Sequence, residues 1–436
     1  MKREIFSSKV GFVLSCIGAA IGLGNIWMFP YRLGQYGGAA FLIPYFIFVF
    51  GLGTIGLMTE FSFGRRFKGG SATGISVILR EKGAKFGKLL AIIPAIGLMG
   101  VFMFYNVVVG WIIKYFGMSI TGEISKVNIA TYFDSFAGSG NSIFFNFIAI
   151  AITLMIVYLG VTKGIENINK IIMPGLFIIF ILLAIRSLTL PNAMEGVKYL
   201  LTPDFSYLLK PETWVMALGQ AFFTVSLNGC GMVVYGSYID KDFDIPKSAF
   251  STAILDTLAA LLVSFVIMPA VFSFGLDPQA GPPLLFITMP TIFKSMPGGH
   301  ILSVIFFLSI LFAAISSSIN MLEGPVEALM GRTNLSRKAA SILVALTGFV
   351  LSIPLNLSMD SFSNFTNLMT IIVSPVAALL VAIVFYFIYD SGKVLEEINI
   401  GANRKLGNGF ILMGKYVFPI TTVGVIILGV VYGGIG

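Results

Sequence analysis

Residues Gly18-Ala-Ala-Ile-Gly-Leu-Gly-Asn-Ile-Trp-Met-Phe-Pro30 lie in the middle of the first hydrophobic segment of the chain. Gly18, Gly22 and Gly24, followed by Asn25, make a poor continuous helix, because each glycine costs about 1 kcal/mol relative to alanine. In hydrocarbon, backbone groups freed by a break need partners inside the protein or in a water-lined cavity. A half-helix N-terminus can hold a carboxylate, and unwound carbonyls can hold a cation. The stretch predicts a helix broken at mid-membrane, with a site for an anionic group and a metal ion beside the break.

The rest of the chain fits a membrane setting. Of 436 residues, 57% are hydrophobic and 11% charged, and the mean hydropathy is +0.94. Soluble proteins carry about 25% charged residues. Eleven segments are long enough to span, near 10–34, 38–63, 89–117, 143–160, 168–187, 213–238, 248–275, 299–328, 337–355, 364–390 and 411–434. Met1-Lys-Arg-Glu4 is basic, but a full broken span follows it without a small-residue cleavage site, so it reads as mature N-terminus. With that terminus inside, 21 of the 28 basic residues fall on one side, as the positive-inside bias requires. The expected placement is a multi-pass protein of the cell (inner) membrane, N-terminus cytoplasmic and C-terminus external. The net charge of +8 is then a topology signal and not a nucleic-acid footprint. Cys16 and Cys230 both fall within spans, so no loop disulfide is expected. The loops at 118–142, 188–211 and 276–298 would be external, with Asp277-Pro-Gln-Ala-Gly-Pro-Pro283 either a lid or an ordinary connection.

The sixth segment repeats the device of the first. Gln220-Ala-Phe-Phe-Thr224 runs into Val-Ser-Leu-Asn-Gly-Cys-Gly231 and then resumes as an apolar run. Broken helices five spans apart suggest two five-helix halves in inverted topology, with the site between them. The expected fold is a single all-α polytopic domain over 1–436: repeats at 10–187 and 213–390 and an additional helix at 411–434.

Four motifs carry a resemblance. Gly22-Leu-Gly-Asn-Ile-Trp-Met-Phe-Pro-Tyr31, Gly37-Gly-Ala-Ala-Phe-Leu-Ile-Pro-Tyr45, Gln220-Ala-Phe-Phe-Thr-Val-Ser-Leu227 and Ser316-Ser-Ser318 together resemble the neurotransmitter:sodium symporter family, of LeuT-type fold. The eleven spans are similar to its bacterial branch, including transporters of tyrosine and other aromatic amino acids. The resemblance implies two sodium sites and no other cofactor. The first would use Ala20, Asn25, Thr224 and Asp256, completed by the substrate carboxylate. Sharing that carboxylate would couple ion and substrate. The second would use Gly18, Ile21, Ala313, Ser316 and Ser317; helix packing is the alternative account of Ser316–Ser318, and the family match outweighs it.

Asp256 departs from many relatives, which carry asparagine there. A carboxylate within a membrane is expensive and rarely without function. Chloride-dependent relatives hold chloride near residues matching Tyr45 and Gln220, so a fixed charge at Asp256 implies chloride-independent transport. Glycine at Gly22, where monoamine-transporting relatives carry aspartate, implies that the ligand brings its own acid: an amino acid. Its carboxylate would meet Leu23, Gly24 and Tyr105; its ammonium, Ala20, Phe223, Thr224 and Ser226. Val101, Asn228, Gly229, Ser317 and Met321 would complete the pocket, and Ser318 or Asn228 would meet a polar tip. Gly229 replaces a phenylalanine of leucine transporters, so the expected ligand is aromatic, tyrosine first, then tryptophan or phenylalanine; leucine and methionine remain open.

At the gates, Met28 and Ser361–Asn364 lack the family's ion pair. Arg3 and Phe6 resemble the inner latch, and Gly164 and Pro174 resemble the segment of the fifth helix that unwinds. Glu60 reads as an internal acid bonded to the sixth helix, and Glu323 and Glu327 as solvated or packed acids. A sensor or scaffold on the same fold is the competing reading. A membrane enzyme is disfavoured by the single histidine and the lack of a metal-binding histidine motif. The oligomeric state is not legible.

Overall fold

The computed structural model describes residues 4–84, 87–276 and 283–434. The expected latch residue Arg3 and most of the turn-rich loop, 277–282, lie outside them. Span 1 is the pair Lys9–Ala20 and Gly24–Gln35, bent by 61°. Spans 2 to 5 are Gly38–Phe67, Gly87–Thr121, Gly140–Tyr158 and Val161–Leu188. Span 6 is the pair Pro211–Thr224 and Gly231–Ser237. Spans 7 to 11 are Ile245–Ser273, Gly299–Met330, Arg337–Leu357, Met359–Tyr389 and Asn408–Tyr432. Among the described residues, nine are continuous helices apolar and long enough to cross a membrane, and span 1 makes a tenth if counted whole. The halves of span 6 have 14 and 7 residues, so neither crosses alone.

Local chemistry sets the breaks. The Ser8 hydroxyl accepts the Gly11 N–H at 3.0 Å and starts span 1. The helix stops at Ile21, which is extended (φ −68°, ψ 100°). In span 6 the chain turns through Ser226 (φ 56°) and Gly229 (φ 67°), both left-handed. The Asn228 side chain then accepts the N–H groups of Cys230 and Gly231 at 3.1 and 2.9 Å, restarting the helix. Glu60 accepts the Gly229 N–H at 2.9 Å, so it is indeed an acid bonded to the sixth helix.

Spans 3, 4, 8 and 9 pack into one group, and spans 1, 2, 6 and 7 into another. Span 5 touches spans 1, 7 and 8. It exposes Ile171, Ile178, Leu182 and Ile185 along one stripe and buries Asn169, Met173, Leu176 and Phe180 on the other. Its apolar outer stripe suits lipid, and its inner stripe reaches the broken segment of span 1.

Candidate functional site

The two breaks face each other at mid-bundle, where the Ser226 hydroxyl donates to the Ala19 carbonyl at 2.8 Å. Three buried side chains from spans 1, 6 and 7 converge beside them. Asp256 Oδ2 accepts the Thr224 hydroxyl at 2.7 Å, and Oδ1 accepts Asn25 Nδ2 at 2.8 Å. Asn25 Nδ2 also lies 3.1 Å from Thr224 Oγ1, and its Oδ1 accepts the Gly22 N–H at 3.2 Å. Asp256 is fully buried, and no basic side chain among the described residues compensates it. A buried carboxylate held by an amide N–H and a hydroxyl, with no described basic side chain beside it, is an uncompensated charge that a bound cation can offset.

A second group of oxygens lies on the other side of the break. The Ser317 hydroxyl is 3.1 Å from the Gly18 carbonyl and 3.0 Å from that of Ile21. Ser316 donates to the Ala313 carbonyl at 2.8 Å, one turn back on span 8. A carbon added at Gly18 would stand 3.1 Å from Ser316 Cβ, so all five expected residues meet here.

Between the groups lies a cavity of about 80 Å³. Ala20, Gly22, Leu23 and Gly24 of span 1 line it, with Val101 and Tyr105 of span 3, Phe223, Ser226 and Asn228 of span 6, and Ser317 and Met321 of span 8. Tyr105 Oη is buried with no hydrogen-bond partner among the described residues. It presses on the break: a Cβ at Gly22 would lie 3.0 Å from it. Phe223 covers Gly24 so closely that a Cβ there would come within 2.6 Å of the ring. Only glycine lets both aromatic side chains close over span 1.

Three expected pocket residues are elsewhere. Ser318 donates to Asn106 at 2.9 Å and lies 2.9 Å from the Thr153 hydroxyl, tying spans 3, 4 and 8. It does not line the cavity, because successive helical residues point about 100° apart and Ser317 takes the inward position. Gly229 does not line it either. A Cβ there would meet the Ala377 backbone of span 10, 2.4 Å from its oxygen. The left-handed turn aims position 229 at span 10, so the inference that its lost ring enlarges the pocket is wrong. The Thr224 side chain faces Asp256 and not the cavity.

Sequence reasoning missed the far wall, built by Thr370, Ile371, Ser374 and Pro375 of span 10 and Val425 of span 11. The signal was present as Ser374-Pro375 interrupting an apolar run. The wall adjoins a π-helical stretch, Leu368–Val373, a distortion that frequently marks functional sites. Arg32 was missed too. It is 5% exposed, one turn beyond Met28, and donates to Gln220 Oε1 at 3.3 Å. Gln220 in turn donates to the Gly24 carbonyl at 3.3 Å, while Tyr45 lies 3.4 Å from the Thr257 hydroxyl.

At the end of the bundle that carries residues 4–8, the chain is tied down. Phe6 is buried against Phe12 and Tyr235, and its N–H donates to the Tyr238 carbonyl at 3.0 Å. Ser7 and Ser8 donate to Glu166 at 2.8 Å, and Thr162 to the Ile5 carbonyl at 2.9 Å. Gly164 lies in a π-helical turn, Val161–Glu166, and Pro174 inside the following helix. Glu323, expected solvated or packed, is buried and ion-paired with Arg337 at 2.5 Å while accepting the Tyr238 hydroxyl.

The profile of the Sodium:neurotransmitter symporter family matches residues 3–135 and 127–433. The chain belongs to that family. The symporter is similar to the uncharacterized sodium-dependent transporter YhdH of Bacillus subtilis (strain 168), at 37% identity over 91% of each chain. An uncharacterized sodium-dependent transporter of Haemophilus influenzae is 33% identical over 84% of this chain and 82% of its own. The crystal structure of MhsT in complex with L-phenylalanine superposes with a TM-score of 0.86, at 33% identity, over 98% of this chain and 99% of MhsT. The symporter is therefore a sodium-dependent, multi-pass membrane transporter of the LeuT-type fold, from a family of transporters and not of enzymes.

Proposed function

We propose that the symporter imports an aromatic amino acid, tyrosine or phenylalanine, with sodium at two sites and without chloride. The observation that carries this reading is the cavity itself. The unpartnered Tyr105 hydroxyl stands over the span 1 break, where the N–H groups of the second half-helix favour an anion. A substrate carboxylate there lies between Tyr105 and the oxygens of Asn25, Thr224 and Asp256. One sodium would then be shared between protein and substrate, which makes binding of each favour the other. Gly18, Ile21, Ala313, Ser316 and Ser317 would hold the second ion, bridging the broken span to span 8.

Two features support an aromatic side chain. MhsT, the neighbour across nearly the whole chain, was crystallised with L-phenylalanine. The far wall of Ile371, Pro375 and Val425 is apolar, with the Ser374 hydroxyl buried beside it and without a hydrogen-bond partner among the described residues. That hydroxyl offers a partner for a phenol, replacing the role first given to Ser318. Asp256 supplies the negative charge near the first sodium that chloride would otherwise bring.

With the N-terminus cytoplasmic, the tied-down end is the inner gate. Inward movement is driven by the sodium gradient and by the membrane potential, about 2.3 kcal/mol per charge per 100 mV. The test is uptake of labelled tyrosine and phenylalanine into vesicles under an inward sodium gradient, against potassium alone and with gluconate replacing chloride. Sodium-driven accumulation in both anions is expected. Binding without accumulation would instead mark a sensor, and loss of uptake in gluconate would refute the role given to Asp256.

A further inference from the structure

Span 1 meets span 5 through two glycines seven residues apart, on one helical face. A Cβ at Gly11 would lie 2.1 Å from Glu166 Oε1, and one at Gly18 would lie 2.3 Å from Asn169 Oδ1. The two contacts differ in how their oxygens are used. Glu166 is saturated by Ser7, Ser8 and Lys170. Asn169 is fully buried, and its Oδ1 has no hydrogen-bond partner among the described residues. Its Nδ2 donates to the Ile165 carbonyl at 2.8 Å, which fixes which end of the amide is which and leaves the oxygen aimed at Gly18. The Gly18 carbonyl is one of the two that Ser317 bonds, and Ser316 Cβ crowds the same point.

A buried, unpaired amide oxygen is unfavourable unless something else satisfies it. The neighbouring Gly18 and Ile21 carbonyls share the Ser317 hydroxyl as a donor, so a hard cation would satisfy them and the Asn169 oxygen together. We propose that Asn169 is a further oxygen ligand of the second sodium, contributed by span 5. This rests on the two-sodium reading above. It also gives the ion a mechanical consequence. Asn169 sits midway between Gly164 and Pro174 and is anchored to Ile165, within the π-helical turn that holds residues 4–8. Unwinding that turn would withdraw an oxygen from the ion, so an occupied site would hold the inner gate shut, and release of the gate would loosen the ion.

The test is a sodium titration of tritiated L-phenylalanine binding to the purified full chain, paired with sodium-induced shifts in melting temperature. For Asn169→Ala, the sodium concentration for half-maximal binding should rise about tenfold, and the sodium-induced melting shift should shrink. Affinity for phenylalanine at saturating sodium should stay within about twofold, since the substrate does not touch this residue. Asn169→Asp keeps an oxygen and adds charge, so it should need no more sodium than the parent. If Asn169→Ala leaves the titration unmoved, or if both variants weaken sodium equally, Asn169 is structural and the proposal falls. Ser317→Ala separates this from the underlying reading. If it shifts the titration and Asn169→Ala does not, only the role of Asn169 fails; if neither does, the second sodium site itself is refuted.

Discussion

The two helix breaks arise from similar residues but are held differently. The break in span 1 is short, Ile21 to Leu23, and is closed by its own Asn25 bonding back to Gly22. Its Gly18 and Ile21 carbonyls face the Ser317 hydroxyl. The break in span 6 is longer, passes through two left-handed residues, and is stapled from outside by Glu60 and from within by Asn228. The carbonyls at the first break are met by hydroxyl and amide side chains, whereas the N–H groups of the second are held by Glu60 and Asn228. A glycine in the first is there so that aromatic side chains can close over it; Gly229 in the second is there for its backbone angle.

That contrast can be broken at several points. The largest effect is expected from Asp256→Asn. Removing a buried charge that compensates a cation costs about 3 kcal/mol, or about 100-fold in the sodium required. Chloride should restore part of the loss, and uptake measured in chloride against gluconate checks both. Next is Gly229→Ala, where a left-handed angle and a backbone collision together cost about 3 kcal/mol of stability. Thermal unfolding in detergent should show the loss, with the substrate preference of any surviving protein unchanged. Gly24→Ala should act oppositely. The Phe223 ring is a side chain and can shift, so the protein should stay folded while phenylalanine binding weakens about tenfold, consistent with about 1–3 kcal/mol of overpacking. The smallest effect is Ser318→Ala, about 1 kcal/mol of stability from its lost hydrogen bonds. Its ratio of tyrosine to leucine uptake should equal that of the parent, whereas Ser374→Ala should lower tyrosine relative to phenylalanine in the same competition assay.

Much of this was legible before any coordinates. Glycine and asparagine inside an apolar run announce a break, and basic residues cluster on one side, because hydrocarbon punishes unpaired backbone groups and the membrane sorts charge. The residues expected at both sodium sites came from the family resemblance that the motifs at the breaks and the serine triplet carry, and Asp256 and Ala313 lie on continuous helices, far in sequence from both breaks. The misreadings share another cause. At Gly229 and Ser318 the residue type was read correctly but its direction was not, since direction depends on a backbone angle at one position and on helical phase at the other.

The broken helices and the membrane class follow from local chemistry, which residue order fully specifies. Which oxygens lie on which side of the break does not. Asn169 lies 151 positions from Gly18, and Arg32 lies 188 from Gln220; nothing along the chain announces either meeting. The wall from spans 10 and 11, the buried Glu323–Arg337 pair and the orphaned amide of span 5 are products of packing. They come from how rigid helices with fixed faces settle against one another, and long-range packing leaves no short-range signature.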